Sequence, residues 1–289
     1  MHIKNILESR KPVFSFEFFP PKNASASEQL FHTIADLVPL QPSYVSITYG
    51  AGGSTRELTH DMVVRIQKET RLTVVSHLTC VGASRDEIAA ILDRYAANGI
   101  ENILALHGDP PQGQPDWKPS ANGFAHAADL VRFIRARHPS MGIGVAGFPE
   151  GHPASANRLV EIDFLKEKMD AGADYICTQL FFDNRDFYDF RERCEIAGIT
   201  QPILAGIMPI QTLAGMKRMA ELSPRSHIPA KLLRAVLRSS HDDAVARFGV
   251  HWATEQVRDL IDHDVAGIHF YTLNKSAATR DIYRTLDLK

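Results

Sequence analysis

Eight short runs of strand-forming residues recur along the chain, and stretches with helical periodicity separate them. The helical stretches place apolar residues three and four positions apart, as in Leu30, Ile34 and Leu37. A regular alternation of strand and helix predicts parallel strands joined by helical crossovers. The predicted strands are Val13–Phe19, Tyr44–Gly50, Thr73–Cys80, Asn102–Gly108, Gly142–Phe148, Tyr175–Phe182, Ile203–Pro209 and Gly267–Leu273.

Eight strand–helix units in 289 residues favour a closed (β/α)8 TIM barrel. A doubly wound open sheet is the competing architecture, but no predicted strand is followed by a G-x-G-x-x-G fingerprint. The segment Pro110–Asn122 is rich in Pro, Gly and Gln and is predicted to be a loop rather than a domain boundary. We therefore expect one catalytic domain over residues 1–289, without a regulatory domain and with an extra helix around Pro229–Ser239.

Composition disfavours several classes of protein. Lys and Arg number 32 against 34 Asp and Glu, so the chain lacks the basic surplus that is typical of nucleic-acid binding. No run of 18 apolar residues is present to cross a membrane, and the first residues lack a signal-peptide pattern. The cysteines Cys80, Cys177 and Cys194 are odd in number and lack metal-site spacing, which indicates a reduced, cytoplasmic compartment.

Polar side chains concentrate toward the carboxyl ends of the predicted strands, where barrel enzymes carry their chemistry. In the first strand, Phe14, Phe16 and Phe18 share one face, so that Ser15 and Glu17 are expected on the barrel interior. The inward polar residues expected from the other strands are Ser46 and Thr48 in the second, His77 and Thr79 in the third, Cys177 and Gln179 in the sixth, and His269 and Tyr271 in the eighth. In the fourth strand, His107 and Asp109 are expected to share this face with Ala105.

Glu17 is the candidate general acid. The adjacent Phe16, Phe18 and Phe19 are expected to surround its carboxyl with an apolar environment, which favours the protonated form near neutral pH. The alternative is a structural carboxylate that a buried partner neutralises.

The other polar residues also have structural alternatives. Asp109 could cap a turn, and His77 and His107 could be hydrogen-bonded core histidines. The segment Gly50–Ser54 has the composition of a phosphate cradle, although glycines at a strand–helix turn often serve only the backbone. A metal-assisted hydrolase with His77, His107, Asp109 and His152 as ligands remains a second hypothesis, and a non-catalytic binding module a third.

Eight sequence blocks, in order from the first strand to the last, resemble the methylenetetrahydrofolate reductase family. Together they extend over nearly the whole chain, which makes the resemblance more specific than any single block. The blocks are Ser15–Pro21 (SFEFFPP), Val45–Ala51 (VSITYGA), His77–Cys80 (HLTC), Ala105–Asp109 (ALHGD), Gly147–Pro153 (GFPEGHP), Asp170–Asp174 (DAGAD), Thr178–Asp183 (TQLFFD) and His269–Asn274 (HFYTLN).

The resemblance implies a barrel flavoprotein that binds FAD non-covalently without a Rossmann motif. Such an oxidoreductase reduces 5,10-methylenetetrahydrofolate to 5-methyltetrahydrofolate in one-carbon metabolism and methionine biosynthesis. NADH or NADPH is the implied electron donor, and nicotinamide and folate would use the flavin in turn, with ping-pong kinetics. Neither a metal nor nucleic acid is implied, and a homo-oligomer is expected by analogy with the family.

The resemblance also implies roles for individual residues. Glu17 matches the acid that assists opening of the imidazolidine ring, and Asp109 matches a catalytic carboxylate near flavin and pterin. Implied substrate-binding residues are Gln179, Tyr271 and Lys275. Implied FAD-binding residues are Thr48, Tyr49, Ala51, His77, His107, Gly108, Asp109, His126, Ala127, Phe148, His152, Glu161 and Lys168.

The sequence departs from the family pattern at a few of these positions. His107 stands where many relatives have Arg, which weakens any ion pair with the FAD diphosphate. Lys275 replaces another common Arg, so a bidentate carboxylate clamp becomes a point charge. Glu161 and Phe164 replace an Asp and an Asn that contact FAD in some relatives.

Overall fold

The computed structural model is a closed barrel in which eight parallel strands pair in chain order. The structure describes residues 1–21, 23–49, 56–109 and 122–288. The strands are β1 Val13–Phe18, β2 Tyr44–Ile47, β3 Val74–Thr79, β4 Asn102–Leu106, β5 Gly142–Gly147, β6 Tyr175–Thr178, β7 Ile203–Ile207 and β8 Gly267–Tyr271. The helices are α1 Ile3–Ser9, α2 Ala24–Leu37, α3 Arg56–Thr70, α4 Arg85–Ala97, α5 Ala127–Arg137, α6 Arg158–Asp170, α7 Asn184–Ile196, α8 Leu213–Leu222, α9 Ala230–Arg238, α10 Asp242–Asp262 and α11 Ala277–Leu286.

The closed barrel confirms the predicted TIM-barrel fold. Strand β1 closes the ring, because Glu17 pairs with Ser46 of β2 on one side and with Tyr271 of β8 on the other. Most of the strands end earlier than predicted. The sixth, for example, ends at Thr178, whereas Leu180 and Phe182 are buried beyond the sheet against helices. Hydrophobicity therefore continues past the last strand pairing, and the sequence pattern does not show where the pairing stops.

Apolar side chains form two core layers, one on each face of the closed sheet. The outward faces of the strands pack against the helices, as Phe16 and Ile268 do, while the interior holds residues such as Tyr44, Val75 and Tyr175. Because the side chains of a strand alternate, these two layers arise from adjacent residues.

Helix α1 packs into the interior cluster at the amino end of the strands. Its residues Ile3, Ile6 and Leu7 are buried there, and each contributes about 1.5–3 kcal/mol of burial free energy. The Ile3 amide donates to Asn102 Oδ1 at the beginning of β4, at 2.7 Å. With this end filled, the carboxyl end of the barrel is the one that remains for a site.

The inward face of β4 differs from the expectation. Leu104 and Leu106 belong to the interior cluster, whereas Ala105 packs among the helix-facing residues. The strand ends at Leu106, so His107 and Asp109 lie in the following loop and strand alternation does not fix their direction. The prediction that these two residues share an inward strand face with Ala105 is therefore wrong.

Two local predictions are confirmed. The extra helix before the last strand is α9, which buries Leu232 and Val236. At the beginning of α4, Ser84 and Glu87 form a reciprocal capping box, with the Ser84 amide donating to the Glu87 carboxylate at 2.7 Å. None of the described helices is long and apolar enough to cross a membrane. The segment 50–54 and nearly all of the loop 110–122 lie outside the described residues.

Candidate active site at the barrel mouth

Glu17 lies inside the barrel between two histidines. Its Oε2 atom is 3.3 Å from Nε2 of His269 on β8 and 3.5 Å from Nε2 of His77 on β3. All three side chains are buried, and Thr272 Oγ1 fixes the backbone of Glu17 by donating to its carbonyl at 2.6 Å. Strands β1, β3 and β8 therefore bring one carboxyl and two imidazoles together, as the inward register of the sequence predicts.

The surroundings of Glu17 are not the predicted ones. Phe16 packs on the helix side against Phe270 and Tyr283, with ring centroids 6.0 and 5.7 Å away, and Phe19 is 42% exposed. Residues adjacent to Glu17 in sequence point to the opposite face of β1, so they cannot line its carboxyl. Imidazole rings contributed by other strands form its environment instead.

His77 carries a neutral ring at physiological pH. Burial lowers its pKa to about 4, although the nearby Glu17 carboxyl opposes this effect. Its Nε2 atom lacks hydrogen-bond geometry to any described residue, and the same holds for the buried Ser46 Oγ and Thr79 Oγ1. Each unsatisfied buried polar atom costs about 1–3 kcal/mol, so this part of the interior suits a ligand that donates and accepts hydrogen bonds.

Gly108 allows the loop after β4 to approach the site closely. Its φ is +88°, in the region that favours glycine, and a Cβ there would lie 2.6 Å from Val81 Cγ1 and 2.8 Å from Thr79 Cβ. The carbonyl of Gly108 is 2.7 Å from Nδ1 of His107. A side chain at position 108 would displace the wall that carries Thr79.

A second polar group lies beside the β5 end of the barrel. The pKa of His152 is lowered by burial, and the charged groups near it are Glu161, Lys168, Asp109 and His107. The structure therefore brings together five of the residues that were predicted to bind cofactor.

Two charged residues of α6 support this group. Lys168 is almost fully buried, donates to the Ala146 carbonyl at 2.7 Å and has a pKa lowered to about 8 by burial. The Glu161 carboxylate accepts hydrogen bonds from Ser155 Oγ at 2.5 Å and from the His152 amide at 3.3 Å. Glu161 thus holds the loop that presents His152, and the ring of Phe148 packs edge-on against His152 at 4.7 Å.

The predicted folate-contacting residues lie at or beyond the carboxyl ends of β6 and β8. Tyr271 donates from its hydroxyl to the Thr178 carbonyl at 2.7 Å. Gln179 is half-buried just beyond β6, where its Oε1 accepts from the Leu180 amide at 2.9 Å. Lys275 is exposed beyond β8.

The remaining predicted residues occupy several positions. Thr48 is half-buried after β2, and the Tyr49 ring packs against the helix-side core. His126 is the N-cap of α5, which begins at Ala127, so this pair offers the amino end of a helix. Ala51 lies outside the described residues.

Sequence reasoning did not select several residues that build the interior beneath Glu17. Ser15 Oγ is 2.7 Å from Nδ1 of His269, and the Tyr44 ring stacks on the His269 ring with centroids 6.3 Å apart. Their signal was their inward position on β1, β2 and β8, which the alternation within each strand already carried.

The ligand geometry does not support the metal-hydrolase hypothesis. Within the described parts of the chain, one group of metal-type ligand atoms lies within 4.8 Å of one another, and it comprises Glu150, Asp186 and His227. None of the four residues proposed as ligands belongs to that group.

The fold and the site together define a TIM-barrel protein with a ligand site around a buried carboxyl at the carboxyl end of its strands. Residues 2–287 match the family model described as Methylenetetrahydrofolate reductase. The chain is 41% identical over 297 residues to Methylenetetrahydrofolate reductase (NADH) 1 of Arabidopsis thaliana, covering 99% of this chain and 50% of the relative. It is 37% identical to 5,10-methylenetetrahydrofolate reductase of Salmonella typhimurium, covering 95% and 90% of the two chains.

Two solved structures share the fold at low sequence identity. A protein from Clostridium thermocellum, described as binding two copies of 5-methyl-5,6,7,8-tetrahydrofolic acid, has a TM-score of 0.68 at 14% identity and covers 98% of this chain and 96% of its own. Oxaloacetate acetylhydrolase has a TM-score of 0.58 at 11% identity, covering 99% and 84%. At these identities the likeness shows the fold alone.

The chain belongs to the methylenetetrahydrofolate reductase family. It spans about half the length of the plant relatives that it matches and nine-tenths of the length of the Salmonella relative.

Proposed function

We propose that this chain reduces 5,10-methylenetetrahydrofolate to 5-methyltetrahydrofolate, with FAD bound non-covalently and NADH or NADPH as electron donor. The observation that carries the proposal is the buried Glu17 carboxyl at the barrel mouth, in a family whose named relatives reduce this folate. The names of the plant relatives specify NADH. FAD, when bound, accepts hydride from the nicotinamide and passes it to the folate.

The interior polar atoms support a flavin ring at the mouth. Ser46 Oγ, His77 Nε2 and Thr79 Oγ1 are buried without described partners, and the pyrimidine edge of a flavin carries both donors and acceptors for such atoms. Gly108 lets the loop after β4 pack directly against Thr79, because a Cβ there would collide with Val81 and Thr79.

The group beside β5 supports a site for the diphosphate. Lys168 supplies a buried ammonium that interacts electrostatically with His152, as His107 does. A charge-assisted hydrogen bond from an ammonium to a phosphate oxygen is about twice as strong as a neutral one. The amide of Ala127, at the amino end of α5, would be a further donor to this anion.

Glu17 would act on the folate rather than on the nicotinamide. A protonated carboxyl can give its proton to the departing ring nitrogen of the imidazolidine, which opens the ring and leaves an N5 iminium to accept hydride. His77 would not supply this proton itself, because burial lowers its pKa to about 4 and leaves its ring neutral near pH 7. Tyr271 and Gln179 would line the folate side, and the exposed Lys275 would reach the glutamyl tail as a point charge.

The test is a reconstitution followed by product analysis. The purified protein is mixed with FAD and desalted, and its visible spectrum is recorded before and after anaerobic addition of NADH or NADPH. Methylenetetrahydrofolate is then added, and 5-methyltetrahydrofolate is measured by mass spectrometry. A flavin band that bleaches with the nicotinamide and returns with folate, together with product, is expected. A protein that retains no flavin would contradict the proposal, and flavin retention without product would instead favour the binding-module hypothesis.

A further inference from the structure

A chain of hydrogen-bonded side chains runs through the barrel interior and ends at Glu17. The Tyr44 ring stacks on the His269 ring with centroids 6.3 Å apart, and its hydroxyl interacts with Ser15 and Tyr175. Ser15 Oγ is 2.7 Å from His269 Nδ1, and His269 Nε2 is 3.3 Å from Glu17 Oε2. Tyr44, Tyr175, Ser15 and His269 are each no more than 1% exposed, so the protein rather than water determines the direction of these hydrogen bonds.

The partners of Ser15 favour one tautomer of His269. Ser15 Oγ is 2.7 Å from Nδ1 of His269 and 3.5 Å from the Ile268 carbonyl, so the shorter contact favours donation of the Ser15 hydroxyl hydrogen to Nδ1. A neutral imidazole whose Nδ1 accepts carries its hydrogen on Nε2. That hydrogen then points at Glu17 Oε2.

We propose that Ser15 and His269 are positioning residues for Glu17: they hold Oε2 as a hydrogen-bond acceptor, so that the transferable proton stands on Oε1. The inference rests on the proposed role of Glu17 in folate reduction. His77 Nε2 also lies 3.5 Å from Oε2, but it lacks hydrogen-bond geometry and leaves the restraint to His269. Without this restraint, the proton would be divided between the two oxygens and only part of the carboxyl population would be correctly oriented.

No other charged group competes with this arrangement among the described residues that face the carboxyl. Burial lowers the pKa of His77 to about 4 and raises the pKa values of Tyr44, Cys177 and Tyr271 well above their ordinary values. These four groups are therefore uncharged near neutral pH, and a change in the pH dependence of folate reduction reports on the hydrogen bond between His269 and Glu17.

The kinetic test follows the folate half-reaction by anaerobic stopped flow between pH 5 and 9 in FAD-loaded protein. Ser15→Ala is expected to lower the maximal rate about tenfold, the size of one lost hydrogen bond, and His269→Leu is expected to lower it more. Both changes weaken a donor to the carboxyl, so the dependence of the folate rate on pH should also differ from that of the wild type. His269→Gln, which retains an N–H donor, should recover part of the rate and of the original profile.

Ser76→Ala is the matched control. Ser76 is also a fully buried strand serine with one side-chain partner, Tyr95 at 2.8 Å, but it faces the helices. It is expected to cost comparable stability and to leave the pH profile unchanged. The proposal is overturned if Ser15→Ala and Ser76→Ala behave alike, or if Ser15→Ala slows the nicotinamide half-reaction as much as the folate one.

A spectroscopic test separates this inference from the proposed function. Two-bond ¹H–¹⁵N correlation spectra report histidine tautomers in the absence of any substrate, and His269→Gln assigns the signal of His269 among the 13 histidines of the chain. The wild type should show the Nε2–H tautomer, and Ser15→Ala should populate the other one. A wild-type Nδ1–H tautomer would overturn the inference even if folate is reduced, whereas the expected tautomer without folate reduction would refute only the proposed function.

Discussion

On one side of the barrel mouth, Glu17, His77 and His269 project from strands and are more than nine-tenths buried. On the other side, His107 and His152 lie in loops after β4 and β5 and are only partly buried. The register of the sheet fixes the first group, called here the strand-borne group. Hydrogen bonds within loops hold the second, called here the loop-supported group, which includes Lys168 and Glu161 of α6. The difference indicates that the group proposed for proton transfer is set rigidly by the fold, while the group proposed for the cofactor depends on a few removable contacts.

The largest expected effect is in the strand-borne group. Glu17→Gln keeps the shape of the side chain and removes its acid, so the folate half-reaction should slow by about 10²–10⁴-fold, the usual contribution of general acid catalysis. Flavin reduction by NADH or NADPH should stay within about twofold of the wild type, because that step needs no proton from this carboxyl. Stopped-flow rates of the two half-reactions measure this, and equal impairment of both would contradict the division of roles.

The next effect concerns Lys168 in the loop-supported group. Lys168→Met should weaken FAD binding about 10- to 100-fold through loss of a charge-assisted hydrogen bond. The ammonium is protonated below its pKa of about 8, so wild-type affinity should fall as pH rises through about 8, and the variant should lack this dependence. Fluorescence titration with FAD measures both effects. Lys166→Met, on the same helix but half-exposed, is the control that should retain wild-type affinity.

Gly108→Ala probes the contact of the loop after β4 with Val81 and Thr79. The φ of +88° and the close approach to Val81 and Thr79 predict a loss of at least about 1 kcal/mol of unfolding free energy. Gly198→Ala is the matched control for backbone strain, because Gly198 has a φ of +74° with open space around its Cβ position. If the two variants unfold at the same denaturant concentration, the close approach at position 108 contributes nothing to stability.

The smallest effect is expected at His107. His107→Arg adds a permanent cation at this half-buried position, which should strengthen FAD binding by only about 0.2–1 kcal/mol. The gain should shrink as salt is added, since screening weakens exposed charges. Weaker binding in the variant at low salt would show that His107 does not face the diphosphate.

Much of the fold and of the strand-borne group follows from the sequence. The repeat of strand and helix predicts the barrel, and the alternation in β1 places Glu17 inside. The pattern fails at the end of β4. Ala105 faces the helices, and His107 and Asp109 lie in the loop that follows the strand, so the three residues do not share one strand face. It also fails for the environment of Glu17, because contacts between β1, β3 and β8 depend on barrel closure rather than on sequence neighbours.

A single comparison tests the central claim, that Glu17 gives its proton to folate while the group around Lys168 holds the cofactor diphosphate. Reoxidation of the reduced enzyme by methylenetetrahydrofolate is measured in Glu17→Gln and in Lys168→Met at saturating FAD. We expect Glu17→Gln to be slow and Lys168→Met to match the wild type, because excess FAD offsets its weaker binding. Normal reoxidation in Glu17→Gln, or an equal defect in Lys168→Met, would contradict the account.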